Sequence, residues 1–300
     1  MLKISDLNMK KNKLGYILIA PAVIGILLMS IYPLLSGVVM SFQENNMVKA
    51  GTGEIGIFIG LKNYLTLFKD EVFLTSLKNT VFWTIANLIL QMSLGIVTAL
   101  LLNQKMKMRL VYRVSVLIPW IVPSVVAALN WRWMYDSKNG IINIFLTKTG
   151  IIPEGIAWLG ETSSAMIAVI IESVWKGMPF VMLLVLAGLQ SIPLDMYEAA
   201  YIDGANKFQT LTKNTLPYIK DSILIAGILT TIYTINNFNA IWLMTAGGPL
   251  DSTEILFTHA YKKAFLQYDF GASAAISTIM FSIILILTIV YTRLLGRRKD

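Results

Sequence analysis

The sequence predicts an all-α polytopic membrane protein with six transmembrane helices. Three observations carry that expectation. The 300 residues are 56% hydrophobic and only 14% charged, whereas a soluble globular chain holds about 45–50% apolar and about 25% charged residues. Mean hydropathy is +0.66. The apolar residues gather in long uncharged runs of the ~20 residues that a spanning helix needs. With no cysteine, disulfides, thiolate metal sites and thiol catalysis are excluded. A single histidine, His259, excludes a His-rich metal centre and most acid–base schemes built on imidazole.

The runs place spans at 14–43, 78–104, 112–135, 162–190, 219–247 and 269–293. Together they form one membrane domain, 14–295, between tails 1–13 and 296–300. The first run is about thirty residues long, longer than the ~7–15 of a signal-peptide core, so it is expected to be a retained first span. Pro119, Pro123 and Pro179 are expected to interrupt helices three and four. Between the first two spans, "FIGLKNYLTLF" in loop 44–76 is amphipathic and suited to lying along the membrane surface. The loop 136–161, Gly- and Ile-rich with Trp158, is expected to pack at the interface, and Trp131, Trp133 and Tyr135 read as an aromatic belt.

Six spans put both termini on one side, and the basic residues choose it. Of the 25 Lys and Arg, fifteen fall on the side of the termini, eight on the other, and Arg132 and Lys176 within spans. The positive-inside rule makes the richer side cytoplasmic. Because the basic residues sit at the ends of apolar runs, they mark topology and not a nucleic-acid surface.

The cytoplasmic segment 190–220 reads "QSIPLDMYEAAYIDGANKFQTLTKNTLPYIK". Pro193 stops the preceding helix. Asp195 with Glu198 three residues on forms a capping-box pattern, and Asn206 with Gln209 repeats it. Gly204 ends the first short helix, and Pro217 marks entry to the next span. Met196, Ala199, Ala200, Phe208 and Leu211 are more apolar than a solvated connector needs. Spacing alone leaves two readings open: a hairpin packed on the bundle's own inner end, or a docking surface for a soluble partner.

"EAAYIDGANKFQTLTKNTLP" resembles the EAA loop of permease subunits of binding-protein-dependent ABC importers. Glu198, Ala199, Ala200, Gly204, Leu216 and Pro217 match that pattern, while Asn214 stands where Ile is usual. "YRVSVLIPWIVPSVVAALNWRWMY", "VWKGMPFVMLLVLAGLQSIPLDMYEAA", "NNFNAIWLMTAGGPLDST" and "AYKKAFLQYDFGASAAIS" narrow the resemblance to the maltose-type carbohydrate permeases, from residue 14 onward. The large extracytoplasmic insertion of the enterobacterial maltose permease is absent. The resemblance implies a type I ABC importer permease fold in a bacterial inner membrane, both termini cytoplasmic, with loop 191–218 carrying a coupling helix. It assigns Glu198, Ala199, Ala200, Asp203, Gly204, Leu216 and Pro217 to docking on a dimer of ABC ATPase subunits. It also implies a second homologous permease and an extracellular solute-binding protein that delivers a sugar. The chain has no G-x-x-x-x-G-K-[ST], so ATP and Mg²⁺ are expected on the ATPase. This chain is expected to hold no cofactor, metal or catalytic residue.

Polar groups at membrane depth are costly and face the bundle interior or a cavity. Asn87 and Gln91 read as helix–helix hydrogen-bonding groups. Tyr233, Asn236, Asn237 and Asn239 concentrate a ring and amides in one stretch, with Tyr233 and Asn237 four apart on one helix face. The resemblance draws a sugar site from Trp120 and Ser124 on helix three, Ser173, Lys176, Gly177 and Phe180 on helix four, and Tyr233, Thr234 and Asn237 on helix five. Lys176 and Thr234 depart from the types usual there, which implies a cargo other than maltose. Glu172 and Lys176, in the order that favours a helical ion pair, are expected to neutralise each other; otherwise Lys176 is free to meet an anionic solute such as glycerol 3-phosphate or an acidic sugar. An ion-coupled transporter or membrane enzyme would need converging titratable groups, and only Glu172, Lys176 and Arg132 lie within the spans.

Overall fold

The computed structural model describes residues 16–47 and 56–296. The tail expected at 1–13, and most of that at 296–300, lies outside the described residues. Five described helices are long and apolar enough to cross a membrane, or six if one sharply bent pair counts as a single span.

The chain divides into two compact units. In the first, helix α1 (Tyr16–Met40) contains a π-helical turn at Leu27–Ile31. Beyond it, β1 (Gln43–Glu44) pairs antiparallel with β2 (Ile57–Phe58), a hairpin that the sequence reading missed because each strand has only two residues. Helix α2 (Lys62–Leu67) is the amphipathic stretch. Asn63 ties it to the chain before it, donating to the carbonyls of Ser41 (2.8 Å) and Gln43 (3.0 Å).

Residues 260–279 also belong to the first unit, and the second, 68–259 and 280 onward, holds the rest of the bundle. Helix α3 (Glu71–Asn103) begins seven residues before the expected boundary at 78, because Asp70 caps it by accepting from the amides of Val72 and Phe73. Hydropathy locates the membrane segment, and the cap locates the helix. The third expected span, 112–135, is not one helix. It is α4 (Arg109–Ile121) and α5 (Ser124–Met134), bent by 92°. Pro123 cannot donate to the carbonyl of Pro119, and Val122 before it is forced extended (φ −60°, ψ 130°). Pro119 and Pro179 are expected to interrupt their helices as well, but α4 contains Pro119 and α7 (Ala165–Gln190) runs unbroken through the buried Pro179. Buried packing holds the chain helical there, the usual reason that proline is tolerated inside a span.

Loop 136–161 folds around helix α6 (Ile141–Lys148) and one buried amide. Asn143 donates to the carbonyl of Ile156 (2.8 Å) and accepts from the Trp158 indole N–H (2.8 Å). On the opposite side, α8 (Leu194–Ile202) is followed by α9 (Lys207–Gln209), a π-helical stretch Thr210–Thr215, and α10 (Leu216–Tyr218). The fifth expected span, 219–247, is also broken. Helix α11 (Lys220–Ile235) ends at Asn236, and Asn237 caps α12 (Phe238–Met244) by accepting from the Ala240 amide. Tyr233 and Asn237 therefore do not share a continuous helix face, as expected from their spacing. Helix α13 (Leu256–Tyr261) and helix α14 (Phe270–Gly296) complete the chain.

Helices α3 and α7 pack along most of their length, and α11 lies against both. Gly95 permits this closeness: a Cβ there would stand 2.6 Å from Val181 Cγ1. Two apolar cores result. One contains Trp83, Val169, Val174, Ile241 and Met244. The other contains Ala99, Val181, Val185, Leu189 and Ala226. On α7 the cores end at Val174 and resume at Val181. The gap between them holds the site.

Candidate functional site

A cavity of about 440 Å³ occupies that gap, inside the ~300–1,000 Å³ range of small-molecule sites. All nine residues singled out for substrate binding line it: Trp120, Ser124, Ser173, Lys176, Gly177, Phe180, Tyr233, Thr234 and Asn237. Sequence reasoning did not assign Gln91, Thr230, Asn236, Phe238, Asn239 and Phe257, which complete the wall. Asn236 and Asn239 belong to the same polar stretch, and the helix break at Asn236–Asn237 brings them to the wall. From sequence Gln91 reads as a bonding group alone. Its amide does bond, to Asn87 Oδ1 (3.0 Å) and the Ser173 carbonyl (3.4 Å), and also faces the cavity.

The breaks in α4–α5 and α11–α12 build the wall. Trp120 and Ser124 sit either side of Pro123. Trp120 stacks on Phe180 of α7 with centroids 6.0 Å apart, and Phe180 meets Tyr233 edge-on at 5.7 Å. Three helices thus contribute one continuous aromatic surface. Polar groups complete the lining. Asn237 Nδ2 lies 3.5 Å from Ser173 Oγ, and Asn239 donates to Ser124 Oγ at 2.9 Å. Thr234 is held from behind, its carbonyl accepting from the Trp83 indole at 2.9 Å. The buried Thr230 hydroxyl has no hydrogen-bond partner among the described residues.

Gly177 leaves room where a side chain cannot fit, since a Cβ there would collide with the Gln91 amide. Gly177→Val is expected to displace Gln91, fill part of the cavity and lower uptake at least tenfold in proteoliposomes. Misplacement of about 1 Å at a site costs on this scale. Unchanged uptake would show that the cavity is not on the transport route.

The expected Glu172–Lys176 ion pair is not formed. The Lys176 ammonium donates instead to the carbonyl of Val122, and Glu172 Oε2 is buried without a hydrogen-bond partner among the described residues. The backbone break at Pro123 exposes an acceptor that sequence spacing could not foresee.

In the segment 191–218, Gly204 adopts φ +74° and ends α8 as expected. Asn206 and Gln209 form the full capping box. The box expected at Asp195 and Glu198 does not form, because Pro193 takes the N-cap position and puts Asp195 inside the first turn. Glu198, Ala199, Asp203, Gly204 and Pro217 are exposed, Leu216 is half-buried and Ala200 is buried. Tyr201 (83%) and Ile202 (82%) stand open, as do Leu194 and Phe208. Met196 and Leu216 pack against the second core and Ala200 is buried, whereas Leu194, Tyr201, Ile202 and Phe208 are not covered by the described residues. Among the described residues, no three His, Asp or Glu gather where they could hold a metal ion.

The sequence from residue 91 to 300 matches the model of the binding-protein-dependent transport system inner membrane component. The chain belongs to that family. It is similar to the trehalose/maltose transport system permease protein of Thermococcus litoralis, 38% identical over 99% of this chain and 98% of the relative. It is also similar to the sulfoquinovosyl glycerol transport system permease protein of Agrobacterium fabrum, 35% identical over 98% and 94%. Its fold superposes on a chain of a bacterial ABC transporter that imports the acidic polysaccharide alginate, with TM-score 0.85, 21% identity, and 99% and 100% of the two chains covered. The family member is thus a multi-pass membrane permease with the type I ABC importer fold. It is a transport subunit and not an enzyme; the ATPase is a separate subunit.

Proposed function

We propose that this permease carries a sugar or oligosaccharide from an extracellular binding protein into the cytoplasm, and that the cavity between the two cores is its cargo site. One observation carries the proposal: Trp120, Phe180 and Tyr233 form a continuous ring surface beside amides and hydroxyls near the middle of the bundle. Sugars present C–H faces to rings and hydroxyls to amides, and a cavity with both matches that chemistry. The named cargoes of its relatives, trehalose/maltose and sulfoquinovosyl glycerol, support the same class. An anionic cargo such as glycerol 3-phosphate would draw on Lys176, the one charged residue along the cavity wall. Its ammonium is turned to the Val122 carbonyl, so the geometry favours a neutral sugar.

The working complex holds this chain, a second homologous permease, a dimer of ABC ATPase subunits with ATP and Mg²⁺, and the binding protein. The likeness to a transporter solved with its periplasmic protein supports the last of these. Glu198, Ala199, Asp203, Gly204 and Pro217 then form the surface through which ATPase closure moves the bundle, while Ala200, buried, and Leu216, half-buried, support it from beneath and do not touch the partner. Closure acts by favouring one of two bundle states, which is how ATP binding biases transport.

Purified importer in proteoliposomes, supplied with its binding protein and a carbohydrate panel, is expected to take up a neutral sugar in an ATP-dependent, saturable manner. Uptake of glycerol 3-phosphate to the exclusion of sugars would overturn the reading. The topology has its own test. An alkaline phosphatase fusion after residue 140 should be active and one at the C-terminus inactive; the opposite pattern would invert the bundle and move segment 191–218 outside.

A further inference from the structure

We infer that Lys176 is a positioning residue that fixes the α4–α5 elbow, and not a reader of cargo charge. The argument begins with backbone groups. A helix leaves its last four carbonyls without intrahelical partners. Here those are Pro119 to Val122, and Pro123 removes the amide that would have continued the ladder. In a soluble protein water would meet these acceptors. Within a membrane span they must be met by protein or by a wet cavity. Lys176 donates its ammonium to the last of them, the Val122 carbonyl. A cation also suits the negative end of a helix, and more so where water is scarce.

The other side of Pro123 is held in the same way. Asn239 donates to Ser124 Oγ at 2.9 Å. Side chains from α7 and α12 therefore grip residues 122 and 124, the two neighbours of the proline that makes the 92° bend. The grip matters because Trp120 and Ser124 face the cavity from opposite arms of that elbow. If the angle relaxes, the ring leaves Phe180 and the hydroxyl leaves the amide row. Lys176 thus acts on cargo through the shape of α4–α5. The inference rests on the cargo-site reading only for its effect on uptake; the elbow itself can be measured without cargo.

The chain contains no cysteine, so paired spin labels can be placed directly. Val114 on α4 and Trp133 on α5 are both exposed. At 1.5 Å per helical residue, their backbones stand about 20 Å apart across a right-angled elbow and about 28 Å apart if the helix straightens. Labels at Val114→Cys and Trp133→Cys in the assembled importer, without cargo, should give one short, narrow distance distribution. Adding Lys176→Met should lengthen or broaden it and lower sugar uptake at least tenfold. Lys176→Arg, which keeps a charged donor, should restore both. If Lys176→Met fails to assemble, Lys176→Gln, with an uncharged donor, should assemble and give an intermediate distance. A wild-type distance in an assembled Lys176→Met or Lys176→Gln importer would overturn the inference. So would an assembled Lys176→Arg importer with a relaxed elbow. A relaxed elbow with unchanged uptake would leave the clamp standing and remove the cargo site from this cavity.

Discussion

Gly204→Val should abolish ATP-dependent uptake while leaving the protein in the membrane. Gly204 closes α8 at φ +74°, where its amide bonds to the Tyr201 carbonyl and the following Ala205 amide bonds back to Ala200, each at 3.0 Å. That left-handed turn is open to glycine and costs an L-residue about 1–2 kcal/mol, with β-branched side chains worst. No atom lies within 4 Å of the added Cβ, so the penalty falls on backbone conformation alone. The chain relieves it by unwinding the end of α8, which moves exposed Tyr201 and Ile202. Under the proposed coupling role those residues lie on the surface that meets an ATPase cleft, and a rigid coupling element tolerates little displacement. Co-purification of the ATPase should weaken in parallel with uptake. Gly204→Asn, which accepts left-handed backbone more readily, should recover a large part of both. Normal uptake by the valine variant would place coupling elsewhere.

Much of this molecule was legible because membrane burial writes itself into composition. The spans followed from uncharged runs, and the end of α8 followed from Gly204. The capping box at Asn206 was readable because both halves lie three residues apart in sequence. The failures lie where a helix starts, ends or bends, and spacing along one assumed continuous helix does not show this. Pro123 bends its helix and Pro179 does not, although both lie in apolar runs, because α7 is packed from several sides around Pro179 while α4–α5 turns along the cavity. Asn236 and Asn237 looked like polar residues within a helix and are instead its end and the next one's cap. Lys176 had an ideal partner four residues back in Glu172, but the elbow offers a carbonyl that spacing along one helix cannot reveal. The nine cavity residues came together because the resemblance indicated the helices that contribute, and the breaks then exposed additional neighbours such as Asn239 and Phe257.

The proposed cargo site depends most on Tyr233 and Asn237, which supply an aromatic edge and an amide from the two sides of the α11–α12 break. Tyr233 closes the ring surface against Phe180 at 5.7 Å, and such a contact contributes about 0.5–1.5 kcal/mol beyond burial. Asn237 offers its amide toward Ser173, and a buried hydrogen bond to a sugar hydroxyl is worth about 1 kcal/mol or more. Because Asn237 also caps α12, replacement by serine is the informative change: serine preserves a cap and removes the amide. The lost sugar hydrogen bond alone approaches a tenfold change at about 1.4 kcal/mol per decade of affinity, and loss of the ring face that the sugar would meet adds to it. The deciding measurement is sugar uptake at subsaturating concentration by proteoliposomes carrying Tyr233→Ala with Asn237→Ser, after co-purification shows that the subunits assemble. Uptake at least tenfold below the unmodified importer is the predicted result. Uptake at the unmodified rate by the assembled double variant would contradict the assignment of this cavity as the cargo site.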